Sequence, residues 1–256
     1  YNRARAKESP DTRPVTRELA DLLFARHAFE QAAQLYRELY DKEPNNQVLA
    51  YRLAEVLFRV GQTEQAGELL ATLDITAPGL VLQGMIAHKA NDRAEALRLM
   101  DEAVRKDKGY SMARFQRARL LALDPKQIAT ASDDLEEALH LNPNLHPARR
   151  LLAELLVRRS EAPEAMRELR TLLEFQPRDI NTRRRLNQLY LNEGDTSSAR
   201  ILLNKGAELF PDQALWPRLQ AKLATHKQDR NAAIRHWRRA AELALDPSVL
   251  ADTLNN

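Results

Sequence analysis

An alanine recurs along the 256-residue chain at a nearly constant interval, and this periodicity constrains the fold more than any other feature. Successive copies follow one another at intervals of 34, 30, 35, 34, 34 and 34 in the numbering. The seven copies are Ala32, Ala66, Ala96, Ala131, Ala165, Ala199 and Ala233. A repeat of this length is the signature of an array of similar units. Chain length is therefore a poor guide to the number of domains.

Each of these alanines begins an apolar stripe. A larger core-compatible residue stands four positions later in every copy: Tyr36, Leu70, Met100, Leu135, Leu169, Leu203 and Trp237. Another stands seven positions later: Leu39, Leu73, Ala103, Ala138, Leu172, Gly206 and Ala240. Spacings of four and seven place side chains on one face of an α-helix. We therefore expect this stripe, including Tyr36 and Trp237, to pack in the core.

Helix-ending signals separate the stripes. Proline stands twelve positions after the alanine in most copies: Pro44, Pro78, Pro143, Pro177 and Pro211. Proline cannot continue a helix, because it lacks the N–H group and its ring clashes with the preceding turn. A second apolar stripe precedes each alanine and ends in a short polar turn, such as Val60-Gly61-Gln62 or Glu193-Gly194-Asp195. Each unit is therefore predicted to be two helices joined by a tight turn.

This repeating helix pair, with its alanine, apolar and proline positions, resembles the tetratricopeptide repeat (TPR) family over residues 13–247. The resemblance implies an all-α fold, a right-handed α-α superhelix of about seven helix pairs. The predicted repeats are 13–46, 47–76, 77–110, 111–145, 146–179, 180–213 and 214–247. Residues 1–12 are expected to end a preceding repeat, and residues 248–256 to begin a capping helix or another repeat. Because the chain begins at Tyr1 and its ends are ragged, we expect a piece of a longer array.

Two of the intervals depart from the common value. The interval of 30 removes about one helical turn near Thr76-Ala77-Pro78-Gly79. The interval of 35 lengthens the turn at Asp124-Pro125-Lys126. We expect both departures to alter the superhelix locally.

The motifs that mark common active sites are missing. The chain has no cysteine, no glycine-rich phosphate loop, no paired histidines at metal-ligand spacing and no G-x-S-x-G elbow. Acidic pairs such as Asp133-Asp134 and Glu136-Glu137 are expected to be solvated on a helix face. We therefore predict no catalytic residue, no metal site, no cofactor and no small-molecule substrate.

In the TPR family the first helices line a concave groove, and the resemblance implies that the fifth residue of each repeat points into it. Here those residues are Arg17, Tyr51, Val81, Phe115, Arg150, Arg184 and Arg218. The three C-terminal arginines are predicted to form a ladder that suits bidentate binding of carboxylates or phosphates. Tyr51, Val81 and Phe115, joined by Phe24 and Phe58, are predicted to form an apolar strip that anchors a peptide or helix.

Structural alternatives compete with both predictions. The aromatic side chains could serve only as packing between helices. The arginines could simply solvate a helix face together with Arg149, Arg183 and Arg185, and Glu154 could neutralise Arg150 from one turn away.

Basic charge is concentrated near the C-terminal end. The chain has 39 Lys and Arg against 36 Asp and Glu, a net charge of +3. Between residues 218 and 239, however, seven basic residues face Asp229 alone, a net of +6. A basic patch of Lys222, Arg235, Arg238 and Arg239 is predicted there. Since we expect no aromatic residues for base stacking on its surface, we predict protein contact rather than nucleic-acid binding.

These observations lead to a functional hypothesis. We predict a non-catalytic protein–protein interaction scaffold that binds a partner in the concave groove, the partner being acidic or carrying an apolar anchor segment. The loose, Arg-rich, Cys-free repeats resemble bacterial TPR arrays of envelope assemblies such as exopolysaccharide export, where the partner would be a polysaccharide-modifying enzyme. Two alternatives stay open: RNA or anionic polysaccharide bound by the Arg-rich end, and a regulatory array of a larger enzyme.

The compartment is not determined by the sequence, with the periplasm favoured over the cytoplasm. No apolar run approaches the roughly 18 residues that a membrane-spanning helix needs. Membrane contact is expected only through regions outside this chain.

Overall fold

The computed structural model describes residues 13–74 and 76–245. Within these ranges it contains fourteen α-helices, one 3-10 turn and no strand, which confirms the all-α prediction. The predicted end of a preceding repeat, residues 1–12, and the predicted cap, residues 248–256, lie outside the described residues. The first seven helices are α1 Arg13–Ala25, α2 Phe29–Lys42, α3 Gln47–Arg59, α4 Thr63–Ala71, α5 Ala77–Lys89, α6 Arg93–Lys106 and α7 Ser111–Leu121. The others are α8 Ile128–Leu141, α9 His146–Arg158, α10 Ala162–Phe175, α11 Ile180–Asn192, α12 Thr196–Leu209, α13 Leu215–His226 and α14 Arg230–Leu245.

The helices come in pairs, an odd-numbered first helix and an even-numbered second helix. One pair lies in each of the seven repeat ranges given above. The described part of the chain divides into two compact units, with the boundary between Leu123 and Asp124. In each unit, helices that follow one another along the chain pack together.

Residues with a left-handed backbone conformation form the tight turns between first and second helices. A residue just after the first helix has a positive φ in six of the seven pairs: His27, Gly61, Asn91, Ser160, Gly194 and Gln228. The N–H of the next residue then donates to the carbonyl five positions earlier, as Gln62 does to Leu57 (2.9 Å) and Asp195 does to Tyr190 (2.8 Å). This arrangement satisfies carbonyls at the helix end and reverses the chain.

Side-chain caps begin several of the helices. Asn46 accepts a hydrogen bond from Leu49 N–H at the start of α3, and Thr76 accepts one from Gly79 N–H at the start of α5. Aspartates do the same elsewhere, capping α6, α11 and α12: Asp92, Asp179 and Asp195. Each cap provides a partner for an N–H group that a helix start leaves unpaired.

The repeated alanine stripe forms the core. Six of the seven alanines have no exposed surface, and Ala233 is 8% exposed. Tyr36 is buried as predicted, at 1%. The prediction for Trp237 is wrong, because its side chain is 44% exposed. It lies on α14, the last described helix, whereas the stripe of an earlier second helix is covered by the helix that follows.

The buried tryptophan is Trp216, which the repeat pattern did not single out. It lies on α13, is 0% exposed and stacks on Phe210 with ring centroids 5.8 Å apart. Gly206 makes room for it, since a Cβ at that position would lie 2.4 Å from the Trp216 ring. The small residue at this stripe position is therefore matched to a large one on the next helix.

The two irregular intervals have visible structural counterparts. Helix α4 has nine residues, whereas the other second helices have 14 or 16. The shorter interval therefore reflects an early end of α4. The extra residue of the longer interval falls in the connection between α7 and α8, which holds the 3-10 turn Pro125–Gln127. The boundary between the compact units, Leu123 to Asp124, lies in the same connection.

Candidate functional site

In the first unit, a cavity of about 430 Å³ opens at the shortened end of α4. Residues of α3, α4, α5 and the connecting segment line it: Gln47, Val48, Tyr51, Leu70, Leu73, Asp74, Thr76, Pro78, Gly79, Leu80 and Gln83. Most of the wall is apolar, and the amide of Gln47 donates to the carboxylate of Asp74 at its edge (2.7 Å). Burial raises the pKa of the Tyr51 phenol, so this side chain stays neutral at physiological pH. The cavity can hold an apolar side chain beside a neutral hydroxyl.

The other residues of the predicted apolar strip do not line this cavity. Val81 and Phe115 are only 4% and 8% exposed, so they offer almost no surface, and the expectation of a strip running through them is wrong. Phe24 is half-buried against Phe29, with ring centroids 5.4 Å apart. Phe58 is half-buried beneath the ammonium group of Lys89. Packing between helices accounts for these four side chains, as the structural alternative expected.

The predicted arginine ladder of Arg150, Arg184 and Arg218 lies in the second unit. Arg17, the other arginine predicted to point into the groove, is half-buried on α1 in the first unit. Arg150 is exposed on α9 and donates to the Asp179 carboxylate (2.8 Å) and to the Gln176 amide oxygen (3.4 Å). Its partner is therefore not Glu154, which instead pairs with Arg185 at 3.4 Å. Arg150 is therefore neutralised by Asp179, the N-cap residue of the next first helix, α11.

Asp179 is held in its ionised form. Burial would raise the pKa of its carboxyl group, but hydrogen bonds from Thr182 and Arg150 outweigh that effect. The pKa of Asp179 therefore lies below its ordinary value. The carboxylate caps α11 and binds Arg150 at the same time.

The next two arginines of the ladder lack such a partner. Arg184 on α11 and Arg218 on α13 are exposed and form no ion pair with any residue in 13–74 or 76–245. The repeat register explains the difference for Arg184. The residue 34 positions after Asp179 is Gln213, which carries no charge. Two uncompensated guanidinium groups thus lie on neighbouring first helices.

Arg149 and Arg183 are not part of a solvated face, contrary to the structural alternative. Arg149 pairs with the buried carboxylate of Glu168, the two side chains being 13% and 11% exposed. Arg183 is 4% exposed and donates to the carbonyl oxygens of Pro177 (2.7 Å) and Leu202 (3.4 Å). Arg149 and Arg183 stand directly before Arg150 and Arg184, at equivalent positions of two repeats. This recurrence was the sequence signal for them.

The predicted basic patch is exposed. Lys222 lies on α13, and Arg235, Arg238 and Arg239 lie on α14, where Arg239 also pairs with Glu242 at 3.3 Å. The exposed Trp237 lies among these arginines in the sequence, so the expected lack of an aromatic side chain in the patch is wrong.

Three further observations concern the acidic pairs, metal binding and membrane spans. Asp134 is 4% exposed, so the expected solvation of the acidic pairs fails at this residue, although Asp133 and Glu136 are exposed. Among the residues that the structure describes, no three His, Asp or Glu side chains come together as a metal site would require. None of the described helices combines the length and apolarity needed to cross a bilayer.

Comparison with known proteins identifies the type of repeat. Residues 7–86 match the sequence model described as tetratricopeptide repeat. A thermophilic TPR protein of Thermus thermophilus is 22% identical, with a TM-score of 0.60 over 70% of this chain and 99% of that chain. The C-terminal part of a TPR repeat-containing protein from Cytophaga hutchinsonii is 15% identical, with a TM-score of 0.67 over 91% of this chain and 98% of that chain.

A third similar structure is MamA, residues 41 to the end, from Desulfovibrio magneticus RS-1. It is 20% identical, with a TM-score of 0.54 over 66% of this chain and 94% of that chain. No curated protein matches the sequence. At these identities the solved structures establish the fold, an all-α TPR solenoid as predicted. The repeat model matches residues 7–86, less than half of the chain, and the solved structures show the same type of fold over a larger part of it.

Proposed function

We propose that this chain is a non-catalytic scaffold that binds an acidic segment of a protein partner along α11 and α13. The observation that carries the proposal is the pair of exposed, uncompensated guanidinium groups of Arg184 and Arg218, which have no ion-pair partner among residues 13–74 and 76–245. They lie at equivalent positions of successive repeats, so they can bind carboxylates at a matching spacing. Arg150 contributes less, because Asp179 already neutralises it.

The cavity at Tyr51 offers a second anchor, of different chemistry, within the first unit. Its apolar wall and volume of about 430 Å³ suit an apolar side chain of a bound peptide. Apolar anchors in desolvated pockets commonly carry much of the energy of a protein interface, whereas exposed charges steer the encounter and add specificity. A partner with both acidic and apolar residues therefore fits the two anchors, each of which lies within its own unit.

A bacterial envelope assembly such as exopolysaccharide export is the cellular context that we propose, with a polysaccharide-modifying enzyme as the partner and the periplasm as the compartment. Its support is compositional: 30 of the 39 basic residues are arginine and cysteine is absent. Cell fractionation of the full-length protein tests this context. A periplasmic location supports it, and a cytosolic one excludes it.

Binding of a fluorescent acidic peptide tests the scaffold proposal. The probe is a capped peptide of alternating glutamate and leucine, titrated by anisotropy at two salt concentrations. We expect the Arg184→Ala/Arg218→Ala variant to weaken binding at least about tenfold, since hydrogen bonds to charged groups contribute on the order of 1.5–3 kcal/mol each. Affinity of the parent chain should fall as salt rises.

Two control variants separate the ladder from general charge. Arg200→Ala removes another exposed arginine, on α12, and should leave binding unchanged. Gln213→Asp restores the acid found at Asp179 and should weaken binding by occupying Arg184. Equal losses in Arg200→Ala and in the double variant would contradict the proposal. Tighter binding of an RNA oligonucleotide or of alginate than of the peptide would favour the basic patch with Trp237 as a polyanion site.

A further inference from the structure

A cleft of about 380 Å³ lies in the second unit, on the side of the second helices. Helices α10 and α12 form its walls and α11 forms its floor. The residues that line it are Arg170, Leu173, Glu174, Arg183, Leu186, Tyr190, Ser198, Ile201, Leu202 and Lys205. Arg184 and Arg218 are not among them, so this cleft is separate from the ladder.

Arg183 places a buried positive charge in the cleft. Its side chain makes hydrogen bonds with two backbone carbonyl oxygens, from Pro177 and Leu202, and with no carboxylate in the described part of the chain. Its Nε has no hydrogen-bond partner there either. Burial lowers the pKa of this guanidinium group, which reflects the cost of keeping the charge away from water. An arginine nevertheless stays protonated, so the charge remains without a counterion.

The preceding repeat has an arginine at the equivalent position with one additional kind of contact. Arg149, at the equivalent position one repeat earlier, donates through Nη2 to the Pro143 carbonyl oxygen (3.1 Å), as Arg183 does to Pro177. Its Nη1, however, donates to the carboxylate of Glu168. The residue 34 positions after Glu168 is Leu202, whose backbone carbonyl receives the long 3.4 Å bond from Arg183 Nη1.

The two repeats therefore differ in one functional group. Arg183 is buried and Arg149 is largely buried; both donate to a proline carbonyl, and both leave Nε without a partner among the described residues. Only the first has an internal carboxylate. Breaking a buried ion pair by removing the acid is costly, because it leaves an uncompensated charge. An external carboxylate that reaches Arg183 would regain the missing interaction.

The rest of the cleft also suits an organic acid. Arg170 at the wall has no ion-pair partner within the described ranges, and Lys205 is paired with Glu208 at 2.9 Å. Glu174 is the acidic residue of the lining. Arg170, Arg183 and Lys205 thus leave an excess of positive charge at the cleft. Apolar side chains complete it: Leu173, Leu186, Tyr190, Ile201 and Leu202.

We propose that this cleft binds the carboxylate of a glutamate side chain from an apolar segment of a protein partner. The bound carboxylate pairs with the guanidinium group of Arg183, as Glu168 pairs with Arg149 inside the preceding repeat. Leucines beside the glutamate pack on Leu173 and on Ile201, which is 68% exposed without a ligand. The site lies outside the proposed ladder and does not depend on it.

Titration with matched peptides tests the ligand chemistry. The probes are acetyl-Leu-Glu-Leu-amide, its glutamine analogue and hexanoate, each followed by NMR shifts of the Arg183 and Leu202 amides. We expect the glutamate peptide to bind at least about tenfold more tightly than the glutamine peptide. Equal affinities of the two peptides would overturn the proposal. Hexanoate binding as tight as that of the peptide would show a site for free organic acids instead of a protein segment, which also overturns it.

A substitution that installs the internal acid tests the mechanism. Leu202→Glu introduces the carboxylate of the preceding repeat, so we expect it to abolish the preference for the glutamate peptide and to raise the melting temperature. Leu202→Gln is the matched control, since it has the same size without the charge and should retain most of that preference. Equal loss in both variants would show a steric effect and would contradict a role for Arg183.

Failure of this proposal is distinguishable from failure of the ladder. Arg184→Ala/Arg218→Ala should leave the amide shifts of Arg183 and Leu202 with the tripeptide unchanged. If that variant abolished the shifts, the tripeptide would be binding at the ladder and the cleft would not be its site.

Discussion

Two arginines of α9 pair with acids of the same unit, whereas the next first helix, α11, carries equivalent arginines without those acids. Arg149 and Arg150 bind Glu168 and Asp179, but the residues 34 positions after these acids are Leu202 and Gln213. The helices of the two pairs have the same lengths, 13 and 14 residues. The comparison shows that single side chains of a repeat decide whether an arginine has an acidic partner within the same unit.

A second difference between these pairs concerns volume. The stripe position seven residues after the alanine is Leu172 in α10 and Gly206 in α12. The residue that faces this position from the next first helix changes in the opposite sense: Trp216 lies against Gly206, and its equivalent one repeat earlier is Thr182. A large residue on one helix thus accompanies a small one on its neighbour, which keeps the packing dense.

Removing the internal acid of α10 should have the largest effect on stability. Glu168→Leu makes the first pair like the second and leaves Arg149 buried without its counterion. We expect the free energy of unfolding to fall by about 3–5 kcal/mol, measured by urea denaturation. The double variant Arg149→Met/Glu168→Leu should recover most of the loss, since no charge then remains buried. If the double variant is as unstable as the single one, packing rather than charge is responsible.

Adding one methyl group at Gly206 should have the next largest effect. A Cβ there would lie 2.4 to 2.7 Å from atoms of the rigid Trp216 ring, and we expect Gly206→Ala to cost about 1–3 kcal/mol. Gly67→Ala is the control, because Gly67 lies in helix α4 with open space around its Cβ position. That variant should gain up to about 1 kcal/mol from helix propensity. Thermal or urea denaturation that shows similar losses for both would contradict the role of the tryptophan.

Neutralising Asp179 should have the smallest effect and should depend on pH. Asparagine caps a helix about as well as aspartate, so Asp179→Asn removes mainly the ion pair with the half-exposed Arg150. We expect a loss below about 1 kcal/mol near pH 7. The pKa of Asp179 is lowered in the folded chain, so its contribution is present above the unfolded value of about 3.9 and is lost as pH falls through the folded value.

Urea denaturation at pH 6 and at pH 3 measures this dependence. The difference between the parent chain and Asp179→Asn should be present at pH 6 and smaller at pH 3. A difference that grows towards acid pH would mean that Asp179 is not held in its ionised form.

Much of the helical framework was predictable, because its signals are local. The alanine in each repeat lets a neighbouring helix approach, and the residue four positions later fills the adjacent space, as Tyr36 and Leu203 show. Residues that favour left-handed backbone, such as Gly61 and Asn91, end the first helices. These requirements act between near neighbours in the chain and leave a direct trace in the sequence.

The two tryptophans show where local reasoning failed. Trp237 occupies a stripe position and is exposed, whereas Trp216 lies off that stripe and is buried. Burial depends on which helix covers a residue and on whether its neighbour leaves space, as Gly206 does. Val81 and Phe115 failed as groove residues for the same reason, since neighbouring helices cover them.

For the predicted binding residues, the sequence determined the positions on the helices, and the structure determined the ion pairing. Positions of Arg150, Arg184 and Arg218 on successive first helices follow from the repeat period, and the structure places all three on exposed surface. Arg150 is neutralised by Asp179, the cap residue of the next first helix, whereas the residue 34 positions after Asp179, which would serve Arg184, is the uncharged Gln213. That pairing could be recognised only after the helices were in place.

The amino-acid sequence by itself determined the all-α repeat, its period and its lack of known catalytic motifs, because helix periodicity and turn chemistry are encoded between near neighbours. The tertiary structure alone decided that Arg149 has a carboxylate partner and that Arg183 has none among the described residues. It also decided that the shortened α4 leaves a cavity beside Tyr51. Charge compensation and packing volume arise between residues on different helices. They are therefore settled only when those helices pack together.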